Sequence, residues 1–377
     1  MKILLVITKS EIGGAQVFIL NLARSLKNMG HQVEVAAGDG NYLFTELENN
    51  GIIYHYLNSL KRNFNIPKAL YFIFDLYRLL KKNNYDIIHL NSSNTLIGAL
   101  SSYFFVKRPK IVFTFHGLSL LDKNYQTNFF LKYLTKTYYK IFLKIIDESV
   151  FVSQSNFTEM QDAGITKDAK VIMNGLDSGN MNFISAKEAR EYFSDLCKVD
   201  FMETFLLGST GRLSYQKNYD FLIDNFSDIN KKIPNARVII IGDGPDREIL
   251  SRKIKLLSID KYFFFLGAIK DSFRYIKAFD LFVLPSRYEG LSISLIEAIF
   301  AGIPILASNV GGNSEIVGIK SPQLFNLNDP EDFLRKLIDI KNNRSLIVDS
   351  NISIKNKFAL EKMTLSYENL YKSLLND

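Results

Sequence analysis

Short apolar runs alternate along the chain with longer segments whose apolar positions recur at helical spacing. Lys2 to Ile7, Val33 to Ala37, Asp86 to Asn91, Lys110 to Phe115, Glu148 to Ser153 and a short run from Lys170 read as strands. The alternation restarts with Phe205 to Ser209, Ala236 to Ile241, Tyr262 to Leu266, Leu281 to Leu284 and Pro304 to Ala307. Between them, Ala15 to Met29 places Val17, Leu20 and Leu26 near one helix face and stops at Gly30. Ile66-Pro67 opens a helix carrying Leu70, Ile73, Phe74, Tyr77 and Leu80. Asn124 to Ile146 predicts one long helix on which Lys132, Lys136, Lys140 and Lys144 recur every fourth residue. Strands joined by helices predict parallel sheets with right-handed crossovers. Residues 178–200 are polar and less regular, which suits a linker. The expectation is therefore an α/β chain of two doubly wound, Rossmann-like domains facing across a cleft.

Composition narrows the class. The 377 residues are 47% apolar and 23% charged, a soluble globular balance long enough for two cores. The apolar residues are interleaved with charges, and no run reaches the length of a membrane span. Met1 to Val6 reads as a first strand rather than a signal peptide. The single Cys197 excludes an internal disulfide and a cysteine-based metal cluster, which fits a cytoplasmic location. Charge is uneven: residues 57–150 hold 14 Lys and Arg against 5 Asp and Glu, more than the whole chain's net +7. The lysine stripe with its aromatic neighbours is either a solvated face over a core face or an interfacial helix on anionic lipid. Nucleic acid, the rival partner for a basic surface, finds no recognition motif here.

Candidate chemistry clusters where predicted strands end. Gly13-Gly14 follows the first strand, but without a dinucleotide fingerprint. It is either a tight turn or a close approach of ligand to backbone. His89, Asn91 and His116 lie at the carboxyl ends of two further strands, and either histidine could equally be a hydrogen-bonded structural residue. Arg212 and Lys217 share the loop after the first strand of the second half, where paired cations would stabilise a leaving diphosphate. No D-x-D pair occurs. Glu289-Gly290 precedes a predicted helix that carries Glu297, and the amides from Gly290 to Ile293 would face an anion. Ser294-x-x-Glu297 also fits a capping box, so Glu297 has a local alternative that Glu289 lacks.

Taken together, Gly13-Gly14-Ala15-Gln16, Thr114-Phe115-His116-Gly117, Val152-Ser153-Gln154-Ser155, Asn174-Gly175-Leu176-Asp177, Gly211-Arg212-Leu213 through Gln216-Lys217, Gly242-Asp243-Gly244-Pro245 and Glu289-x₇-Glu297 resemble a retaining glycosyltransferase of the GT-B fold, family 4 type. The resemblance implies domains at 1–180 (acceptor), 181–356 (nucleotide sugar) and a helix at 357–377 crossing back to the first. It implies that Arg212 and Lys217 clamp the donor diphosphate, Glu297 holds ribose and Glu289 the transferred sugar. The amides of Gly290, Leu291, Ser292 and Ile293 would add contacts, and backbone near Gly267 and Ile269 would meet the base. Gly13, Gly14, Asn91 and His116 fall on the acceptor side, with Gly14 also near the donor phosphate and His116 near the reacting carbon. Such enzymes bind no cofactor or metal. They use a nucleotide-diphosphate sugar as co-substrate, here with UDP favoured, and transfer a hexose with retention by same-face attack. Three positions depart from the family pattern: Leu291-Ser292 for Phe-Gly, Gln16 for an acidic residue and Asn218 for glycine.

The basic, aromatic first domain suggests a saccharide or polyprenyl-diphosphate-linked acceptor in bacterial surface polysaccharide or glycolipid assembly, on the inner face of the membrane. A GT-B epimerase would convert the donor without acceptor. A phosphorylase would need a pyridoxal-phosphate lysine, for which no candidate is identified. A non-catalytic glycan-binding subunit would tolerate degraded motifs, whereas Arg212, Lys217, Glu289 and Glu297 are intact.

Overall fold

The computed structural model describes residues 1–61, 65–103, 105–352 and 354–376. They form two compact units, 1–176 with 358–377 and 177–357. The first contains β1 (Lys2–Ile7), α1 (Gly14–Asn28), β2 (Gln32–Ala37), α2 (Tyr42–Asn49), β3 (Ile53–Tyr56), α3 (Ile66–Lys82), β4 (Ile87–Asn91), β5 (Lys110–Phe115), α4 (Phe129–Phe142), β6 (Glu148–Phe151), α5 (Gln154–Asp162) and β7 (Lys170–Val171). The second contains α6 (Ala186–Cys197), β8 (Phe205–Thr210), α7 (Tyr219–Asp224), α8 (Phe226–Lys232), β9 (Ala236–Ile241), α9 (Arg247–Leu256), β10 (Phe263–Gly267), β11 (Leu281–Leu284), α10 (Ile293–Ala301), β12 (Ile305–Ser308), α11 (Asn313–Val317), β13 (Leu324–Phe325), α12 (Pro330–Asn342) and α13 (Arg344–Ile352). The C-terminal α14 (Leu360–Asn376) returns to the first unit.

Both sheets are parallel throughout, ordered β3-β2-β1-β4-β5-β6-β7 and β10-β9-β8-β11-β12-β13. Their central strands are buried, as strands covered on both faces must be. In each sheet the strand order reverses once, between β1 and β4 and between β8 and β11. At such a switch point two loops leave the carboxyl edge in opposite directions and open a crevice.

The apolar pattern located every strand except the edge strands β3 and β13. β3 carries exposed Ile53, Tyr54 and Tyr56, so no buried alternation marks it. β13 pairs only two residues with β12. The segment expected as a linker instead contains α6. Ser185 accepts from the Glu188 amide and Glu188 accepts from the Ser185 amide, a reciprocal cap. Ala189 and Phe193 bury its inner face. α4 is shorter than its lysine periodicity suggests, because Asn128 Oδ1 accepts from Leu131 N at 2.7 Å and sets the start at Phe129. On α3 the buried stripe is Phe72, Leu76 and Leu80, while Leu70 and Phe74 face outward.

α14 covers the same face of the first sheet as α1. The Tyr371 hydroxyl meets His89 Nδ1 at 2.6 Å, and Tyr367 meets Thr114 Oγ1 at 3.1 Å. Thr114 in turn lies 2.7 Å from His89 Nε2. His89 is wholly buried and its pKa is pushed down to about 3 by that burial, so it is a neutral structural anchor rather than part of any chemistry.

In the second unit Phe279 lies flat on β8. A Cβ added at Gly208 would fall 2.0 Å from its ring. Gly208→Ala is expected to lower stability by about 3 kcal/mol in urea unfolding, the upper end for overpacking. Phe279→Leu on that background should recover at least a third of the loss. Strict additivity of the two changes would show that the ring is not the obstacle.

Candidate functional site

The switch point of the second sheet gathers the residues with chemical potential. One loop leaves β8 through Gly211, Arg212 and Lys217, and the other leaves β11 through Pro285, Glu289 and Ser292. They are laced together through backbone and side chain. Arg287 N donates to Gln216 O at 2.8 Å, and Asn218 Nδ2 donates to Pro285 O at 3.0 Å. The Arg287 guanidinium bonds Asp220 at 2.8 Å and lies 4.2 Å over the Tyr215 ring. Asn218 adopts φ +56°, a left-handed conformation that asparagine tolerates better than most residues. This accounts for asparagine at a position where the family pattern has glycine.

Glu289 is 6% exposed, and three side chains donate to it. Lys217 Nζ and Ser286 Oγ each reach Oε1 at 2.6 Å, and Gln216 Nε2 reaches Oε2 at 3.3 Å. The loop backbone beneath is fixed as well. Gly311, at φ +48°, sits so close that a Cβ would fall 2.0 Å from Glu289 O. The adjacent Gly312 N donates to Gly290 O at 2.8 Å. Ser286 and Gln216 were not among the sequence candidates; only adjacency to Pro285 and Lys217 pointed to them.

Glu297 lies within α10, half-buried. The capping-box alternative does not hold. Ser292, not Ser294, is the N-cap, and it makes no side-chain cap bond. Its hydroxyl instead meets Ser294 Oγ at 3.1 Å. Among the described residues no hydrogen bond or ion pair engages the Glu297 carboxyl. Burial pushes its pKa up to about 8, with Asp271 adding to the rise and Lys217 opposing it. The structure thus inverts the expected asymmetry: Glu289 has local partners, and Glu297 has none. The α10 N-terminus at Leu291, Ser292 and Ile293 is buried.

Arg212 is exposed and acts electrostatically on Asp246. Gly267 closes β10, its carbonyl accepting from Gly242 N at 2.8 Å, and Ile269 follows half-buried.

The first unit holds the remaining candidates. His116, after β5, directs Nε2 to Asn91 Oδ1 at 2.9 Å, and its ring meets Phe18 edge-on at 4.7 Å. Asn91 Nδ2 donates to His89 O at 3.0 Å, which turns the amide oxygen toward His116. An amide oxygen only accepts, so His116 carries its hydrogen on Nε2 and keeps Nδ1 as an acceptor. Burial pushes its pKa down to about 4, leaving the imidazole neutral. Gly13 precedes α1 and Gly14 is its first residue; Gln16 Nε2 holds the loop through Lys9 O at 2.8 Å. On α4, Lys132 and Lys136 are half-buried, whereas Lys140 and, past the helix end, Lys144 are exposed. Phe129, Phe130, Tyr133 and Ile141 are exposed beside them. No helix among the described residues is long and apolar enough to cross a membrane.

Comparison with known proteins places this geometry. Residues 12–179 match Glycosyltransferase Family 4, and residues 199–357 match Glycosyl transferases group 1. A UDP-Gal:alpha-D-GlcNAc-diphosphoundecaprenol alpha-1,3-galactosyltransferase of Escherichia coli is 28% identical over 84% of this chain and 82% of its own. A 2-deoxystreptamine N-acetyl-D-glucosaminyltransferase of Niallia circulans is 27% identical over 78% of this chain and 77% of its own. Among solved structures, Anabaena HepE in complex with UDP-glucose superposes with a TM-score of 0.81 at 21% identity, covering 99% of this chain and all (100%) of that one. Sucrose-phosphate synthase from Thermosynechococcus elongatus gives 0.82 at 17% identity, over 100% and 99% of the two chains. With two parallel Rossmann-like sheets and both family matches in sequence, the chain belongs to the family 4 glycosyltransferases of the GT-B fold.

Proposed function

We propose that the second unit binds a nucleotide-diphosphate sugar, a UDP-sugar in first place, and that the enzyme transfers the sugar with retention and without a bound metal. The acceptor is a saccharide or a polyprenyl-diphosphate-linked saccharide of bacterial surface polysaccharide or glycolipid synthesis. The observation that carries this reading is the pair of carboxylates at the β8/β11 switch point, one already neutralised and one without a partner. Glu297 accepts from the two ribose hydroxyls, which supply the hydrogen bonds its carboxyl lacks. Lys217 and Arg212 hold the diphosphate, helped by the Gly290 to Ile293 amides at the uncapped start of α10. Glu289, prevented from turning away by Ser286 and Gln216, accepts from hydroxyls of the transferred sugar. Backbone at Gly267 and Ile269 meets the base.

In the transfer, the acceptor oxygen forms a bond to the anomeric carbon as the bond to the diphosphate breaks on the same face. The acceptor proton passes to the departing diphosphate oxygen. Lys217 and Arg212 stabilise the charge gained there. His116, neutral with Nδ1 as acceptor, orients a hydroxyl near the reacting carbon. Gly13, Gly14 and Asn91 serve the acceptor side. Two relatives support the donor and acceptor classes: the E. coli galactosyltransferase by its named UDP-Gal and diphosphoundecaprenol-linked substrate, and HepE by its UDP-glucose complex.

We further assign the exposed lysines and aromatics of α4 to peripheral contact with the anionic inner face of the membrane. Each lysine near such a surface contributes about 1 kcal/mol.

Two measurements test these assignments. Donor binding needs Glu297 ionised, so UDP-glucose affinity should climb up to about tenfold per pH unit between 6 and 8 and level off above. Glu297→Gln should bind at least tenfold more weakly at pH 8 and show no such climb. A flat wild-type profile, or no binding of any UDP-, GDP- or ADP-sugar, overturns the donor assignment. In vesicle sedimentation, the wild type should partition preferentially to anionic over neutral vesicles, and Lys140→Glu/Lys144→Glu should remove that preference. Equal partitioning of the wild type sinks the membrane assignment.

A further inference from the structure

A cavity lies in the first unit beside α4, outside the donor site assigned above. It measures about 410 Å³ and is floored by Leu118 and Leu121 after β5 and by Met160, Ala163 and Ile165 at the end of α5. Its wall is one face of α4. Phe129, Lys132, Tyr133 and Lys136 recur at the three- and four-residue spacing that aligns side chains along a helix. The opposite face of α4 is committed to the core: Tyr138 bonds Ser93 O at 2.9 Å and Tyr139 bonds Ser93 Oγ at 2.6 Å. The cavity is thus an apolar slot with cations at its mouth. Lys123, Lys132 and Lys136 line it together with one carboxylate, Glu159. Glu159 Oε1 accepts from the Lys123 amide at 2.7 Å, and three lysines against this one carboxylate leave the lining with a cationic excess.

Three features of this slot select one class of ligand. An apolar floor under a cationic mouth suits an amphiphile whose polar end is an anion. The volume lies at the small end of the roughly 300–1,000 Å³ range of small-molecule sites, which fits the head-proximal part of one chain rather than two. Three lysines match the two or more charges of a diphosphate better than the single charge of a common phospholipid. The floor also begins at Leu118, two residues along the chain from His116. A ligand seated here delivers whatever follows its diphosphate to the same edge of the β5 loop.

We propose that this slot binds the isoprenoid diphosphate of the acceptor, with the first isoprene units on Leu118, Met160 and Ile165 and the diphosphate on Lys123, Lys132 and Lys136. The assignment rests on the reading of a lipid-linked acceptor and gives that acceptor a place. It also divides the lysine stripe, with Lys132 and Lys136 serving the slot and Lys140 and Lys144 the surface beyond it.

The test is titration calorimetry with farnesyl diphosphate on the full chain, with saturating UDP to occupy the donor site. One-to-one binding should persist under UDP. Lys132→Ala/Lys136→Ala and, separately, Ala163→Phe should each weaken it at least tenfold while leaving UDP affinity unchanged. Farnesol and inorganic diphosphate alone should each bind at least tenfold more weakly than farnesyl diphosphate. Displacement by UDP, unchanged affinity in the lysine variant, or equal binding of soluble dihexanoyl phosphatidic acid overturns the proposal. UDP affinity read in the same experiment separates the two claims. Its absence in the wild type, together with no binding of GDP or ADP, refutes the donor reading, whereas its presence without farnesyl diphosphate binding removes this slot alone.

Discussion

A carboxylate taken out of water must be met by donors or it will not stay charged, and Glu289 shows how much structure that requirement organises. Lys217 and Ser286 share one of its oxygens and Gln216 takes the other. These donors come from both loops of the β8/β11 switch point, so satisfying one side chain fixes the two loops against each other. Removing Lys217, the charged partner, would leave a buried charge uncompensated, a change that typically costs about 3–5 kcal/mol. The interlocked backbone at Gly311 and Asn218 then has a clear purpose. It holds the carboxylate still rather than letting it follow its partners.

Against that fixed point the other titratable groups differ in an orderly way. Glu297 shares the neighbourhood but not the partners, and burial, with Asp271 adding to it, raises its pKa. His116 and His89 are both driven neutral by burial, yet only His116 keeps a nitrogen unspent. His89 uses both nitrogens to hold tyrosine and threonine hydroxyls. These groups are therefore separated by hydrogen-bond accounting rather than by position along the chain.

That distinction explains what could be read from sequence. The doubly wound architecture was legible, because fully buried parallel strands must be continuous apolar runs and glycines must punctuate their ends. Glu289, Glu297, Lys217 and His116 were legible as candidates because they follow such runs. The edge strands β3 and β13 were not, since exposure or shortness erases the pattern. Helix α6 was hidden by its polar outer face. Periodicity also overextended α4, because lysine spacing does not reveal that Asn128 caps the helix. Ser294-x-x-Glu297 misled for a related reason: a cap is defined by where the helix begins, and Ser292 begins it. Ser286 and Gln216 were given no role of their own because polar residues in loops are common, and only the carboxylate they face gives them meaning.

The return of α14 to the first unit bears on how the molecule is made. Its tyrosines complete the hydrogen bonding of His89 and Thr114 in the middle of the first sheet. On the ribosome that sheet emerges before the second unit, and its covering helix only after it. At about 5–20 residues per second the whole second unit intervenes, a delay of about 10–40 s. Throughout that interval part of one face of the first unit lies bare, with two polar groups awaiting partners at the far end of the chain. Tyr367 and Tyr371 of α14 thus close the first unit only once the second unit has been made.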